Sequence, residues 1–321
     1  MRVCLMVEGQ EGVTWPEWLA LASACEELGF DGLFRSDHYQ SLHGGMAQGA
    51  LDAWTTIAAL AARTERIRLG TLVSPVTFRH PAVLAKSVAA VDHVSGGRVE
   101  IGLGAGWYER EHRAFGLSFP ARGERLEMLG EQVEIVHRLL DPAERVVTFL
   151  GKHYRLEDCE ALPAPLQRPH PPLILGGEAG SRSSRLAVRW ADEYNVFFCS
   201  PARCREARLR LDEECVKAGR DPSTLPLSLM TGVVVCADAA ALSLRLKRVM
   251  DLRGESGSPG SGIEHLLGRG WIVGRVEQVL EQMAVLAAAG ISRVMLQLLD
   301  HDDRESLELL GREVVTGAAT L

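Results

Sequence analysis

Asp31–Gln40 reads DGLFRSDHYQ: Gly32, Leu33 and Phe34 stop at a cluster of charged and hydrogen-bonding groups, Arg35-Ser36-Asp37-His38-Tyr39. An apolar run of this kind is a short strand. Such a strand breaks into polar residues at one end only where the chain reaches a surface with a use for them.

The same pattern recurs along the chain. Apolar runs fall at 3–7, 32–34, 67–71, 99–103, 173–175, 194–198, 227–236 and 293–298. They are short and continuous rather than alternating, as parallel strands buried on both faces are. Helical periodicity lies between them, at 15–28, 52–64, 81–94, 122–140, 186–190, 202–218, 239–250, 275–289 and 304–315. The first helix has Thr14 as an N-cap, Pro16 in its first turn and Gly29 as its stop; the third is entered by Pro81 and closed by Ser95-Gly96-Gly97. Strand–helix alternation implies a parallel sheet with crossovers. Eight such units in 321 residues favour a closed (β/α)8 TIM barrel, α/β in class, over an open doubly wound sheet. A hairpin (146–150 with 153–155, joined by Gly151-Lys152) reads as an insertion, and RGESGSPGSG (253–262) as a flexible loop insertion. No linker divides the chain, so residues 1–321 are expected to form one domain. In a barrel of this kind the C-terminal strand ends carry the active site, which places Ser36, Asp37 and His38 at the mouth.

Composition narrows the function. The net charge of −7 and sequence pI of about 5.8 argue against a nucleic-acid binder, which needs a basic face. No stretch approaches the roughly 20 apolar residues of a membrane span, and the N-terminus lacks a signal-peptide pattern, so the expected location is cytoplasmic. Seven scattered cysteines without a C-x-x-C pair read as reduced core thiols. There is no H-E-x-x-H and no G-x-S-x-G, so neither a metal hydrolase nor an α/β-hydrolase is supported, and no metal site is expected.

Four stretches carry chemistry. Asp37-His38 reads as one polar group for a cofactor ring and one acid/base, or as a helix cap and a half-exposed histidine. In RLGTLVSPVTFRHPA (68–82), apolar Leu72 and Val73 stand where a polar turn is expected, which suggests backbone packed against something flat; the alternative is a slightly longer strand. GRVEIGLGAGWYERE (97–111) spaces its glycines G-x-G-x-G and is followed by Glu109 and Glu111. It does not match a dinucleotide loop, and its glycines are read as letting a flat ring approach the backbone. In LILGGEAGSRSSR (173–185), Gly176-Gly177 precede a helix starting near Ser181, with Arg182 and Arg185 beside free N–H groups. That is an anion site, or a tight turn with a solvated helix start.

Together GFDGLFRSDHY, AARTERIRLGTLVSPVTFRHPA, SGGRVEIGLGAGWYEREHRAFG and GRVEQVLEQMAVLAAAGISRVMLQ resemble the luciferase-like monooxygenase superfamily. They are most similar to its branch of oxidoreductases dependent on the deazaflavin coenzyme F420. The resemblance covers nearly the whole chain. It implies an eightfold barrel, often a homodimer, with the coenzyme in the barrel mouth and a small-molecule substrate. By position, Asp37 would contact the polar end of the ring and His38 would be the proton donor or acceptor. Leu72-Val73 would be a non-prolyl cis peptide behind the ring, followed by Ser74. Ala105 and Gly106 would line the ring's side chain, while Gly176, Gly177, Ser181 and Arg182 would hold the phosphate. Trp107 stands where the sugar-phosphate dehydrogenases of this branch carry an acidic residue, and Leu42 where they carry a tryptophan. That departure implies a larger apolar substrate in a pocket of Tyr39, Leu42, Phe78 and Trp107. The resemblance leaves FMN as the alternative cofactor, in a monooxygenase fed by a partner reductase. A flavin-binding protein without turnover is a further alternative.

Overall fold

The computed structural model describes residues 1–42, 49–255 and 259–321. Eight parallel strands close on themselves: β1 (Arg2–Val7), β2 (Gly32–Arg35), β3 (Arg68–Pro75), β4 (Val99–Gly104), β5 (Leu173–Gly176), β6 (Glu193–Phe197), β7 (Leu227–Cys236) and β8 (Ile291–Gln297). Each strand pairs with the next, and β8 pairs with β1 through Cys4 opposite Met295. The (β/α)8 barrel read from the sequence is the fold observed.

Residue parity explains why the apolar runs are continuous. Leu5, Leu33, Leu69, Ile101 and Leu229 face outward into the large core beneath the helices, whereas Cys4, Met6, Phe34, Leu72, Ile174 and Met295 fill the barrel interior. Both faces are buried, so alternation has nothing to distinguish. The interior is closed near the strand starts by ionic groups. Arg293 on β8, 1% exposed, donates from Nη2 to Glu100 Oε2 at 2.7 Å and to Glu193 Oε1 at 2.9 Å, and Arg68 also pairs with Glu100.

Elements outside the eight barrel strands differ from expectation. A four-residue strand, Ile272–Arg275, pairs in parallel with Val233–Cys236, the part of β7 that runs beyond its pairing with β8. The sequence masks it, because the run leads straight into the helix Val276–Ala288. A helix, Pro259–Gly268, begins inside the stretch read as a flexible insertion, entered by a proline of the kind that suits a first turn; residues 256–258 lie outside the described residues. The second hairpin strand is Arg155–Glu160, not 153–155, because three backbone N–H groups at 152–154 turn onto the Glu131 carboxylate instead of joining the ladder.

Among the described residues, no helix is long and apolar enough to cross a membrane.

Candidate active site

Asp37 lies two residues beyond β2 and is 1% exposed. Its Oδ2 accepts from Ser74 Oγ at 2.6 Å and from Arg79 Nη1 at 2.5 Å. Arg79 also donates to Asp52 Oδ2 at 2.6 Å, and Trp54 Nε1 donates to Ser74 Oγ at 3.0 Å. The carboxylate is thus immobilised through one oxygen. The other, Oδ1, is buried and has no donor. A buried acceptor left open costs stability, and a ligand N–H or O–H would complete it.

His38 faces a partner that the sequence reading passed over. Its Nδ1 is 2.7 Å from Glu111 Oε1, and Glu111 Oε2 accepts the Tyr39 N–H at 3.0 Å. An ionised carboxylate only accepts, so Nδ1 carries the proton and Nε2 is the atom left to exchange one. Burial works against charge on this imidazole. The hydrogen bond and negative charge of Glu111, with smaller contributions from Glu8 and Asp37, outweigh it and raise the His38 pKa above the ordinary 6.5. Glu111 is the carboxylate that serves His38, while Glu109 is exposed. Both open the short helix Glu109–Phe115, which the sequence reading did not include, and that turn sends Glu111 and His112 inward. The signal available was the spacing: two positions separate an exposed from a buried site at a helix start.

A third buried carboxylate at the mouth, Glu8, follows β1. It accepts from Gln10 Nε2 at 2.5 Å and from Gln297 Nε2, while Ser36 Oγ donates to Gln10 Oε1 at 2.5 Å. Glu8 was not singled out from the sequence, although its place at the end of a barrel strand is the signal that marked Asp37.

The peptide between Leu72 and Val73 is cis, as the resemblance implied. At this point the register between β3 and β4 shifts. The glycines nearby do allow a close approach, but Val73 is what approaches. A Cβ on Gly104 would lie 2.5 Å from Val73 Cγ2, and one on Gly176 2.8 Å from Val73 Cγ1. At Gly104 and Gly176 the Val73 side chain therefore takes the space that the missing Cβ leaves. Gly106, with φ of 75°, sits beside Pro75, and the Ala105 carbonyl accepts from Arg125 Nε at 3.2 Å.

On the β5 side, Gly176 and Gly177 lead into the helix Ser181–Trp190. Its N-cap, Gly180, supplies no side-chain acceptor, so first-turn N–H groups remain for an anion. Ser181 is exposed at the first helical position. Arg182 leans on a neighbouring helix (Arg122–Leu140), 3.5 Å from the Gly123 carbonyl and 3.7 Å from Glu127 Oε1.

The four residues assigned to the substrate pocket separate into different places. Tyr39 and Phe78 stack on each other at 4.8 Å, and the Tyr39 hydroxyl donates to Asp52 and accepts from Arg79, so these rings brace the Asp37 cluster. Trp107 is 63% exposed and lies edge-on to His38, with ring centroids 5.7 Å apart. The Leu42 N–H donates to Glu11 Oε1 at 2.8 Å, just ahead of residues 43–48, which lie outside the described residues. The fold thus unites Asp37 with Ser74, His38 with Trp107, and Val73 with Gly176.

Comparison with known proteins identifies the family. A family model for luciferase-like monooxygenases matches residues 3–293. An F420-dependent glucose-6-phosphate dehydrogenase of Microbacterium testaceum is 37% identical over 64% of this chain, which spans 60% of that relative's length. One from Nocardia farcinica is 30% identical over 93% of this chain and 92% of its own. An FMNH2-dependent dimethylsulfone monooxygenase of Pseudomonas putida is 26% identical over 92% of this chain and 85% of its own. On the barrel, the mouth cluster and these matches, the chain belongs to the luciferase-like monooxygenase family.

Proposed function

We propose that this chain is an F420-dependent oxidoreductase acting on an apolar organic substrate. The observation that carries the reading is the pairing at the mouth of an immobilised Asp37, with one oxygen open, and a partly buried, Glu111-supported His38. The residues fit a deazaflavin. Asp37 Oδ1 would accept from its polar edge, Leu72-Val73 and Ser74 would back it, Ala105 and Gly106 would line its side chain, and Gly176, Gly177, Ser181 and Arg182 would take its phosphate. When bound, the coenzyme supplies hydride chemistry. The chain's part is to orient it, exclude water and move one proton at His38 Nε2, an acid/base contribution of roughly 10²–10⁴ in rate.

Substrate choice follows from the rim. An apolar indole at Trp107 beside His38 offers no charge to a sugar phosphate and suits a hydrophobic compound bearing an electron-poor C=C or C=O. The homodimer implied by the resemblance belongs to the same proposal, as does a cytoplasmic location. FMN is the second reading, supported by the FMNH2-dependent relative. Fluorescence titration of purified protein with F420 and with FMN distinguishes them: tight F420 binding with weak FMN binding supports the hydride-transfer reading. The reverse order supports a monooxygenase, and binding of neither removes both.

A further inference from the structure

The turn carrying the anion site is held from behind. Tyr194 on β6 is fully buried, and its hydroxyl accepts the Ala179 N–H at 2.9 Å. The same hydroxyl donates to Ser183 Oγ at 2.9 Å, which donates in turn to the Gly180 carbonyl at 3.0 Å. From the other side Arg210, on the helix Pro201–Lys217, donates from Nη1 to the Ala179 carbonyl at 2.6 Å. Ala179 therefore has its N–H tied to a strand and its C=O to a helix. It needs both, because its φ of 51° is a left-handed conformation that a residue with a Cβ keeps only when its surroundings impose it. Gly177 belongs to the same device: a Cβ there would lie 2.7 Å from the Tyr194 hydroxyl.

We propose that Tyr194 and Arg210 are positioning residues for phosphate binding: they hold the 176–181 turn so that the N–H groups opening the Ser181 helix stay aimed at one point. This rests on the cofactor reading above. Neither side chain is assigned a contact with the phosphate, since the Tyr194 hydroxyl is already committed to Ala179 and Ser183. Their effect is on the fraction of protein whose turn is competent before the anion arrives, and apparent affinity falls in proportion to that fraction.

The test is titration of wild type, Tyr194→Phe and Arg210→Gln with F420 and FMN, each beside its phosphate-free form (the dephosphorylated deazaflavin and riboflavin). Tyr194→Phe is expected to weaken the phosphate-bearing ligand by roughly tenfold, with a smaller loss for exposed Arg210→Gln and no change for the phosphate-free forms. Amide exchange at Ala179 in the ligand-free protein should quicken in Tyr194→Phe. Equal loss for both ligand forms, or a phosphate preference kept by both variants, overturns the assignment. A wild type with no phosphate preference removes the phosphate site at 176–182 and the assignment with it, whereas a wild type that binds neither F420 nor FMN refutes the cofactor reading itself.

Discussion

At the scale of single residues, the site turns on how the surroundings treat two side chains. His38 would be an ordinary histidine without Glu111. With the carboxylate at 2.7 Å it stays protonated to a higher pH than 6.5, despite burial. Turnover that needs His38 as an acid should therefore fall only as pH rises through this raised value. Glu111→Gln removes the charge and should move that limb of the pH–rate profile to lower pH; an unmoved limb would separate Glu111 from the proton transfer. His38→Ala should lower kcat by roughly 10²–10⁴ while leaving coenzyme affinity near wild type. Val73 invites a different experiment. Gly176→Ala places a methyl 2.8 Å from Val73 Cγ1 and should cost about 1–3 kcal/mol in denaturant unfolding. Adding Val73→Ala should return part of that loss, because two neighbours in one cavity are not additive.

At the scale of elements, the structure shows where local sequence signals suffice. Helices with strong punctuation, such as Pro81–Ser95 with its left-handed Gly96, fall where their caps place them. The hairpin does not, because its turn is organised by a residue far away in sequence. Glu131 accepts N–H groups from Lys152, His153 and Tyr154 at 2.8, 2.9 and 3.0 Å. Glu131→Ala leaves these donors to water and should raise amide exchange at 152–154 selectively, with a stability loss of about 1–2 kcal/mol. A uniform change in exchange across the chain would count against this anchoring role. Ile272–Arg275 makes the same point: a four-residue run, IVGR, beside a helix start becomes a strand only because β7 outruns its pairing with β8 and offers an edge.

At the scale of the whole molecule, the barrel carries its ionic cluster near the strand starts and its chemistry at the strand ends. Burial penalises the Glu100 carboxylate, but Arg293 and Arg68 overcome that penalty and hold its pKa below the ordinary 4.5. A depressed carboxylate contributes stability that is present above the unfolded-state value and lost as pH falls through the folded one. Glu100→Gln takes one of two carboxylates from Arg293, which keeps Glu193, and should thus destabilise the protein at neutral pH by about 1–3 kcal/mol and flatten the loss on acidification. Equal acid sensitivity in wild type and variant would remove Glu100 from that account. The sequence by itself determined the eightfold strand–helix alternation, the polar break after Phe34 and the residue types at the strand ends, because burial on both faces and helix punctuation are written in local pattern. Only the tertiary structure decided that Glu111 serves His38, that Val73 fills the glycine socket and that Glu8 meets Gln297. Those partners are 73, 31 to 103, and 289 positions apart, and closing the barrel is what brings them within contact distance.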